Sequence, residues 1–558
     1  MSEKTRVSWI DKIKQSFDED SQVIETPFQT SEGDFSLFYV DSLIDKKLFA
    51  DSILSPIEKF AKNSEKTSEK TEQKPMKNSQ TSMQENDVCD TLKKEVISVS
   101  AVEELNKLND ALDKIFAGNV VVASEKKMLS CPVFGLQARS VAEPPTSRVV
   151  KGPREGFVED LPRNLGLIRK RLKTANLKIK DLYVGKQTNT HVAIVYLDGI
   201  AKKEIVQKVE NILNQINIDA IIDSYYIESF LEEEKIKFFR RVGNTEKPDV
   251  LCAKVLEGRV AVLVDGSPIA LTVPFVLFED LQSPEDYYAI PAQATFVRLM
   301  RIIGLIFALL VPGVYVALQS FNYRILPINF LITLLSSIEG LSVPPLIELL
   351  IVLFLFEIIT EASLQMPNSL GMALSIIGAL ALGNTAVDAG LISPPSIVIV
   401  AISSVALYII PDQIAETRIL RLLFTVIGGI IGLYGIVTSF IILTTYICNI
   451  SSFGVPYLSP IAPNIKKDKK DAFIKSELQS MKTRPTLFAG KNKTRLSENE
   501  TNSKQKGGSK WHLGNFTSCC SSQHCLSKFS TCPAWFTTIL AKMATLFYLL
   551  ILLLTWLA

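Results

Sequence analysis

The sequence predicts an α/β half built from two related subdomains, followed by an α-helical polytopic membrane domain. Two observations carry this expectation. Hydrophobicity is segregated along the 558 residues. Residues 1–290 are rich in Lys and Glu, whereas 295–450 hold long apolar runs such as IIGLIFALLVPGVYVAL (302–318) and LLFTVIGGIIGLYGIVTSFIILTTYI (422–447). About 20 apolar residues cross a bilayer core as a helix, and no soluble core needs several such runs in succession. The second observation is an internal repeat. FSLFYVDSLIDKK (35–47) resembles VAIVYLDGIAKKE (192–204), each an apolar strand ending in Tyr-x-Asp before a helix start. LDKIFAGNVVV (112–122) resembles CAKVLEGRVAV (252–262), each a helix closed by Gly and then a β-branched strand.

In chain order, residues 1–60 begin the first subdomain and 89–145 complete it. Between them 61–88, AKNSEKTSEKTEQKPMKNSQTSMQENDV, is almost wholly polar. Such a segment buries too little apolar surface to offset the entropy of ordering it, so a disordered insertion is expected. The second subdomain spans 150–290. It opens on GPREGFVEDLPRN (152–164), where Phe157, Leu161, Leu165, Ile168 and Leu172 recur at helical spacing. Pro162 is tolerated at a first helical position, which predicts a turn over 152–160 and a helix from about 162 to 173. Arg163, Arg169, Lys170, Arg171 and Lys173 would form its wet or partner-facing side. Arg154, Glu155, Glu159 and Arg163 are the candidate assembly and signal-relay residues, with Arg154 and Glu155 placed for an inter-subunit salt bridge. VAVLVDGSPIALTVP (260–274) is short and interrupted by Asp265-Gly266, a hairpin signal rather than a span.

The membrane domain, 295–450, offers six candidate segments: 296–319, 327–338, 346–364, 370–390, 395–411 and 422–449. The second is too short to cross comfortably and suits a re-entrant loop, so four to six spans are expected. The start, MSEKTRVSWIDKIKQSF, has no apolar run, and the first half is expected to stay cytoplasmic. Lys-rich IKKDKKDAFIK (465–475) makes 451–537 a polar cytoplasmic tail by the positive-inside rule. The final TILAKMATLFYLLILLLTWLA (538–558) is a possible extra membrane segment.

Charges within apolar segments point to function in a membrane protein. Glu339 lies at the edge of one; Glu357, Glu361, Glu348 and Asp388 are the candidate pore or intramembrane acids. Glu357 and Glu361 stand one turn apart on one helix face, and Glu348 lies about 180° around from Glu357. Arg298, Arg301, Arg418 and Arg421 are expected to snorkel to the interface. Gly371, Gly378 and Gly383 suit close helix packing. A net charge of +2 gives no reason to expect nucleic acid. The late CCSSQHCLSKFSTC (519–532) fits no standard zinc spacing, so no metal is expected. P-loop, G-x-G-x-x-G and G-x-S-x-G motifs are lacking, and none of the three histidines stands beside an evident nucleophile. No cofactor and no enzymatic activity are expected.

The stretch 152–201, from GPREGFVEDLPRN through LIRKRLKTANLKIKDLYVGKQTNTHVAIVYLDGIA, resembles the A subunit of the GerA-type spore germinant receptor family. So do NTEKPDVLCAKVLEGRVAVLVDGSPIAL (244–271), QSPEDYY (282–288), GNTAVDAGLISPPSIVIV (383–400) and SFGVPYLSPIAP (452–463). The resemblance covers roughly 20–465 apart from the polar insertion. The chain departs from the family at Pro162 and after residue 510. The resemblance implies a multi-pass protein of the inner membrane of a bacterial endospore, acting with B and C partner subunits to sense nutrients. It also implies a homo-oligomer in contact with membrane lipid that contributes a nutrient-gated path for cations. The alternative is a scaffold subunit whose partners carry the transport.

Overall fold

The computed structural model describes residues 8–17, 20–30, 33–61, 88–97, 99, 101–135, 151–232, 238–339, 341, 343–365, 385–465, 468–490 and 492–495. The chain divides into two compact units. The first comprises Met1–Phe275 with Ser451–Val455 and Thr483–Arg495; the second runs over Val276–Ile450 and takes in Pro456–Lys482. Nearly all of the polar insertion, the Gly371–Gly383 stripe, the cysteine-rich run and residues 538–558 lie outside the described residues.

The first unit holds two five-stranded antiparallel sheets with the same strand order. In the first, β1 (Val23–Thr30), β2 (Gly33–Val40), β4 (Asn119–Ser124), β5 (Met128–Pro132) and β3 (Glu103–Leu105) lie side by side. In the second the order is β6 (Leu177–Val184), β7 (Thr190–Leu197), β9 (Val260–Val264), β10 (Ala270–Val273) and β8 (Gly243–Thr245). Each repeat quoted from the sequence sits at the same place in its sheet: the second strand and its exit turn, then the helix leading into the fourth strand. β9 and β10 form the hairpin expected at Asp265-Gly266, with Val262 opposite Leu271.

The period of two along the strands makes each sheet the middle of three layers. Val192, Ile194 and Tyr196 of β7 face the helices Lys203–Gln215 and Ser224–Leu231. Ala193, Val195 and Leu197 face the helices Leu161–Arg171 and Pro248–Leu256. In the first sheet, Phe38 and Val40 pack with the helices Trp9–Ser16 and Leu108–Phe116, while Phe35 and Leu37 cover the opposite core.

The Leu161–Arg171 helix carries Pro162 in its first turn, where the missing N–H costs nothing. Its charged side is not uniformly wet, which corrects the sequence reading. Lys170 and Lys173 are exposed, but Arg169 is 0% exposed. Its Nη2 donates to Asp20 Oδ2 at 2.5 Å, and its guanidinium lies 5.1 Å from the Phe116 ring of the first subdomain. A helical stripe read alone cannot reveal that a second subdomain covers the polar side.

The second unit is helical. Its described helices include Pro291–Ser320, Ile328–Ile338, Pro345–Gln365, Pro394–Leu407, Ile414–Ile431 and Leu433–Asn449. Among the described residues, Pro291–Ser320 is long and apolar enough to cross a membrane by itself. The Pro394–Leu407 helix and the Pro411–Ile431 segment form an apolar pair bent by 112°. The expected segment 422–449 is broken at Gly432, whose φ of +75° suits glycine and ends the helix before it. Pro291–Ser320 and Ile414–Ile431 pack closely where Gly313 meets Gly428; a Cβ on Gly313 would stand 2.6 Å from the Phe424 carbonyl oxygen.

Candidate functional site

The second unit buries charge at three places. At the first, Glu357 of the Pro345–Gln365 helix accepts from Arg421 Nη2 at 2.5 Å through Oε1 and lies 3.1 Å from Arg418 Nε through Oε2. Arg421 is 2% exposed, and its Nη1 reaches Ser403 Oγ and Ser404 Oγ at 3.3 and 3.2 Å. One helical turn separates the two arginines, so one carboxylate faces both. The expectation that Arg418 and Arg421 snorkel is therefore corrected. Their partner is a carboxylate on another helix, and burial with pairing replaces exposure.

At the second place, Glu348 Oε1 accepts from both the N–H and the hydroxyl of Ser393 at 2.7 Å. Ser393 precedes the Pro394–Leu407 helix, so this carboxylate takes up donors at a helix start. Ser396 and Tyr315 continue the chain of hydroxyls at 2.9 and 3.5 Å. Glu348 is 2% exposed, and its Oε2 is buried with no hydrogen-bond partner among the described residues. The other acids differ. Glu361 meets Gln365 at 3.2 Å on an exposed face, and Asp388 and Glu339 are exposed.

At the third, the QSPEDYY segment folds onto the start of the Pro291–Ser320 helix. Asp286 closes a capping box with Ser283 and receives Arg298 Nε at 3.0 Å and Arg301 Nη1 at 2.7 Å. Arg298 Nη1 also donates to Asp471 Oδ1 at 3.0 Å, and Lys475 Nζ donates to the Asp286 carbonyl oxygen. Burial pushes the Asp286 carboxyl up, but the bonds and charge of Arg301 outweigh it and hold it below the usual carboxylate range. Arg298 is thus buried in an acidic clamp, not snorkelling. Its partner Asp471 stands 173 residues away, a distance no local pattern spans; the local signal present is the Ser-x-x-Asp spacing of Ser283 and Asp286.

In the first unit, Glu155 of GPREGFVEDLPRN is tied down within the chain. Glu155 pairs with Lys170 at 3.0 Å and Arg171 at 2.7 Å. Asn164 exchanges bonds with the Val158 backbone, and Leu161 N–H donates to Asp265 Oδ1 at 3.1 Å. Arg154 and Glu159 are exposed, and Arg163 is half-buried. A second polar cluster, missed in the sequence, joins the subdomains. Asp181 lies 3.0 Å from His191 and accepts from Ser21 Oγ at 2.6 Å and Gln22 Nε2 at 3.2 Å. The hydrogen bond to Asp181 raises His191 above its ordinary value, and burial opposes it. Burial raises Asp181, but its bonds from His191, Ser21 and Gln22 bring it below the usual range.

The family described as Bacillus/Clostridium GerA spore germination protein matches residues 11–487, through both units. This chain belongs to the GerA family. Spore germination protein KA of Bacillus subtilis (strain 168) is 30% identical over 498 residues, 88% of each chain. Spore germination protein GerLA of Bacillus cereus is 33% identical over 411 residues, 73% of this chain and 84% of its own. The uncharacterized membrane protein YfkQ of B. subtilis is 35% identical over 397 residues, 70% and 77% of the two chains. A crystal structure of the N-terminal domain of the A subunit of the Bacillus megaterium spore germinant receptor GerK3 aligns with 47% of this chain and 92% of its own, at 23% identity and a TM-score of 0.32.

Proposed function

We propose that this GerA-family chain is the A-type subunit of a nutrient receptor in the inner membrane of a bacterial endospore, and not an enzyme. Its helical unit is polytopic, its α/β unit and polar tail are cytoplasmic, and it oligomerises with B and C subunits to contribute a nutrient-gated path for cations. The observation that carries this reading is the family match through both the α/β unit and the helical unit. Buried charge among apolar helices supports it, because such groups are expensive in lipid and persist where helices must interlock or ions pass.

The surroundings of the candidate acids support a division of these roles among them. Glu357 is neutralised by two arginines and serves interlocking. Glu348 is held at a helix start but keeps one oxygen unpartnered among the described residues, and Glu361 and Asp388 are exposed; these three are the acids proposed for a cation path. Arg154, Glu159 and Arg163 remain the proposed assembly and relay contacts of the α/β unit. The pairing of Glu357 also favours a second reading, in which the chain is a scaffold and its partners carry transport.

Spores lacking this chain test the receptor role. Loss of cation release to one nutrient class, with other responses intact, supports it. Unchanged release kinetics to every nutrient tried removes it.

A further inference from the structure

The two subdomains repeat one groove and fill it differently. Leu43 and Ile200 are equivalent in the repeat, as are Gly118 and Gly258, both at positive φ of +86° and +105°. In the first subdomain the chain leaving β5 turns back into the groove. Asp45 N–H donates to the Val133 carbonyl at 2.9 Å, and Gly135 N–H to the Leu43 carbonyl at 3.1 Å. Phe134 packs on the bare face of Gly118.

In the second subdomain the chain leaving β10 does not return; Pro274 and Phe275 lead on to the second unit. Another segment takes the place, one that lies beyond the helix Leu433–Asn449 in the chain. Gly490 N–H donates to the Ile200 carbonyl at 2.7 Å, the bond that Gly135 makes in the first subdomain. Asn492 N–H donates to the Gly199 carbonyl at 3.2 Å. Arg484 Nε reaches the Leu256 carbonyl at 2.9 Å, 228 residues away in the chain. Phe488 and Ala489 are 6% and 1% exposed, and the Arg259 guanidinium lies 4.2 Å from the Phe488 ring. A Cβ at Gly258 would come within 3.0 Å of the Phe488 carbonyl oxygen.

We propose that this groove is a peptide-docking site, that it recognises an aromatic-x-Gly segment, and that residues 484–492 of the same chain are its detachable occupant. The groove supplies acceptors and an aromatic contact for such a segment. Backbone acceptors at Gly199, Ile200 and Leu256 lose their protein donors when the segment leaves. Arg259 supplies a cation for an aromatic ring. Gly258 admits a close backbone approach that any side chain would block. The strap belongs to no named sheet and holds by the buried Phe488 and Ala489, the Arg484 side chain and a few backbone bonds, the recognition mode of a docked peptide. The first subdomain, closed by residues contiguous with β5, has no such freedom.

The test uses the full chain in membranes. Cysteines replacing Gly199 and Asn492 are oxidised, and the product is read as an intrachain or interchain link. Trypsin cleavage at Lys493, whose carbonyl accepts from Arg484 N–H at 2.9 Å, is followed in parallel for wild type, Phe488→Ala and Phe488→Tyr. The proposal expects an intrachain link that an excess of free 483–495 peptide suppresses, whereas the same peptide carrying Phe488→Ala does not. It expects cleavage at Lys493 to quicken by about tenfold or more in Phe488→Ala, the scale set by burial of one aromatic side chain, with Phe488→Tyr near wild type. An interchain link places the occupant on a second copy and overturns the assignment. No link, an unsuppressed link, or unchanged cleavage in Phe488→Ala overturns the detachable strap.

Discussion

Replacing Glu357 by Gln separates a structural acid from a conducting one. The side chain keeps its size and its Oε1 acceptor but loses its charge. Arg421, 2% exposed and 2.5 Å away, is then a buried guanidinium without a counter-charge. Removing one partner of a buried pair costs about 3–5 kcal/mol. Arg418 adds less: it is half-buried, with 21% side-chain exposure, at 3.1 Å, so its charge keeps part of its hydration when the partner is lost. The total is a large fraction of the roughly 5–15 kcal/mol that holds a folded protein together. The assay is the thermal midpoint of the full-length protein in membranes, measured for Glu357→Gln, Arg421→Met and the double variant. The double variant should recover most of the loss, because no unpaired buried charge remains. A Glu357→Gln protein with a wild-type midpoint and altered cation release would refute the interlocking role and restore Glu357 as a path residue.

Three further outcomes follow from the same reasoning. Asp20→Asn strands Arg169 between the subdomains, so the α/β unit should lose about 3–5 kcal/mol, read as a lowered thermal midpoint. Gly428→Ala drives a methyl into the Gly313 carbonyl; overpacking of about 1–3 kcal/mol should lower the yield of folded protein. His191→Gln tests the Asp181 pair by pH. Because His191 is raised from 6.5, its contribution is complete below that value and fades as pH rises through the folded value. Because Asp181 is lowered from 3.8, its contribution is complete above that value and fades as pH falls through the folded value. The stability gap between wild type and His191→Gln should therefore be widest at mildly acid pH and narrow on the alkaline side; a gap that stays constant with pH rules the ion pair out.

Local chemistry made much of the α/β half legible. Strand alternation, the Gly-closed helices and Asp265-Gly266 name their own elements, and Pro162 marks a helix start because only a first turn tolerates it. The apolar runs located the helices of the second unit. What stayed hidden depends on partners far along the chain. Arg169 looks wet until Asp20 covers it, and Arg298 looks interfacial until Asp286 and Asp471 close around it. Arg421 looks like a flank until Glu357 meets it across 64 residues. The break at Gly432 was also invisible, since a glycine within an apolar run is as consistent with packing as with a left-handed turn. The strap at 484–492 left no trace in hydropathy; the repeat alone marked its groove, through the correspondence of Leu43 with Ile200 and Gly118 with Gly258.

The most direct measurement of the central claim is nutrient-triggered cation flux from liposomes holding the purified receptor complex, with and without this chain, and with Glu361→Lys. Flux should require the chain, and the variant should show a changed cation preference. Flux of equal size and selectivity from partners alone would contradict that claim and leave the chain a scaffold.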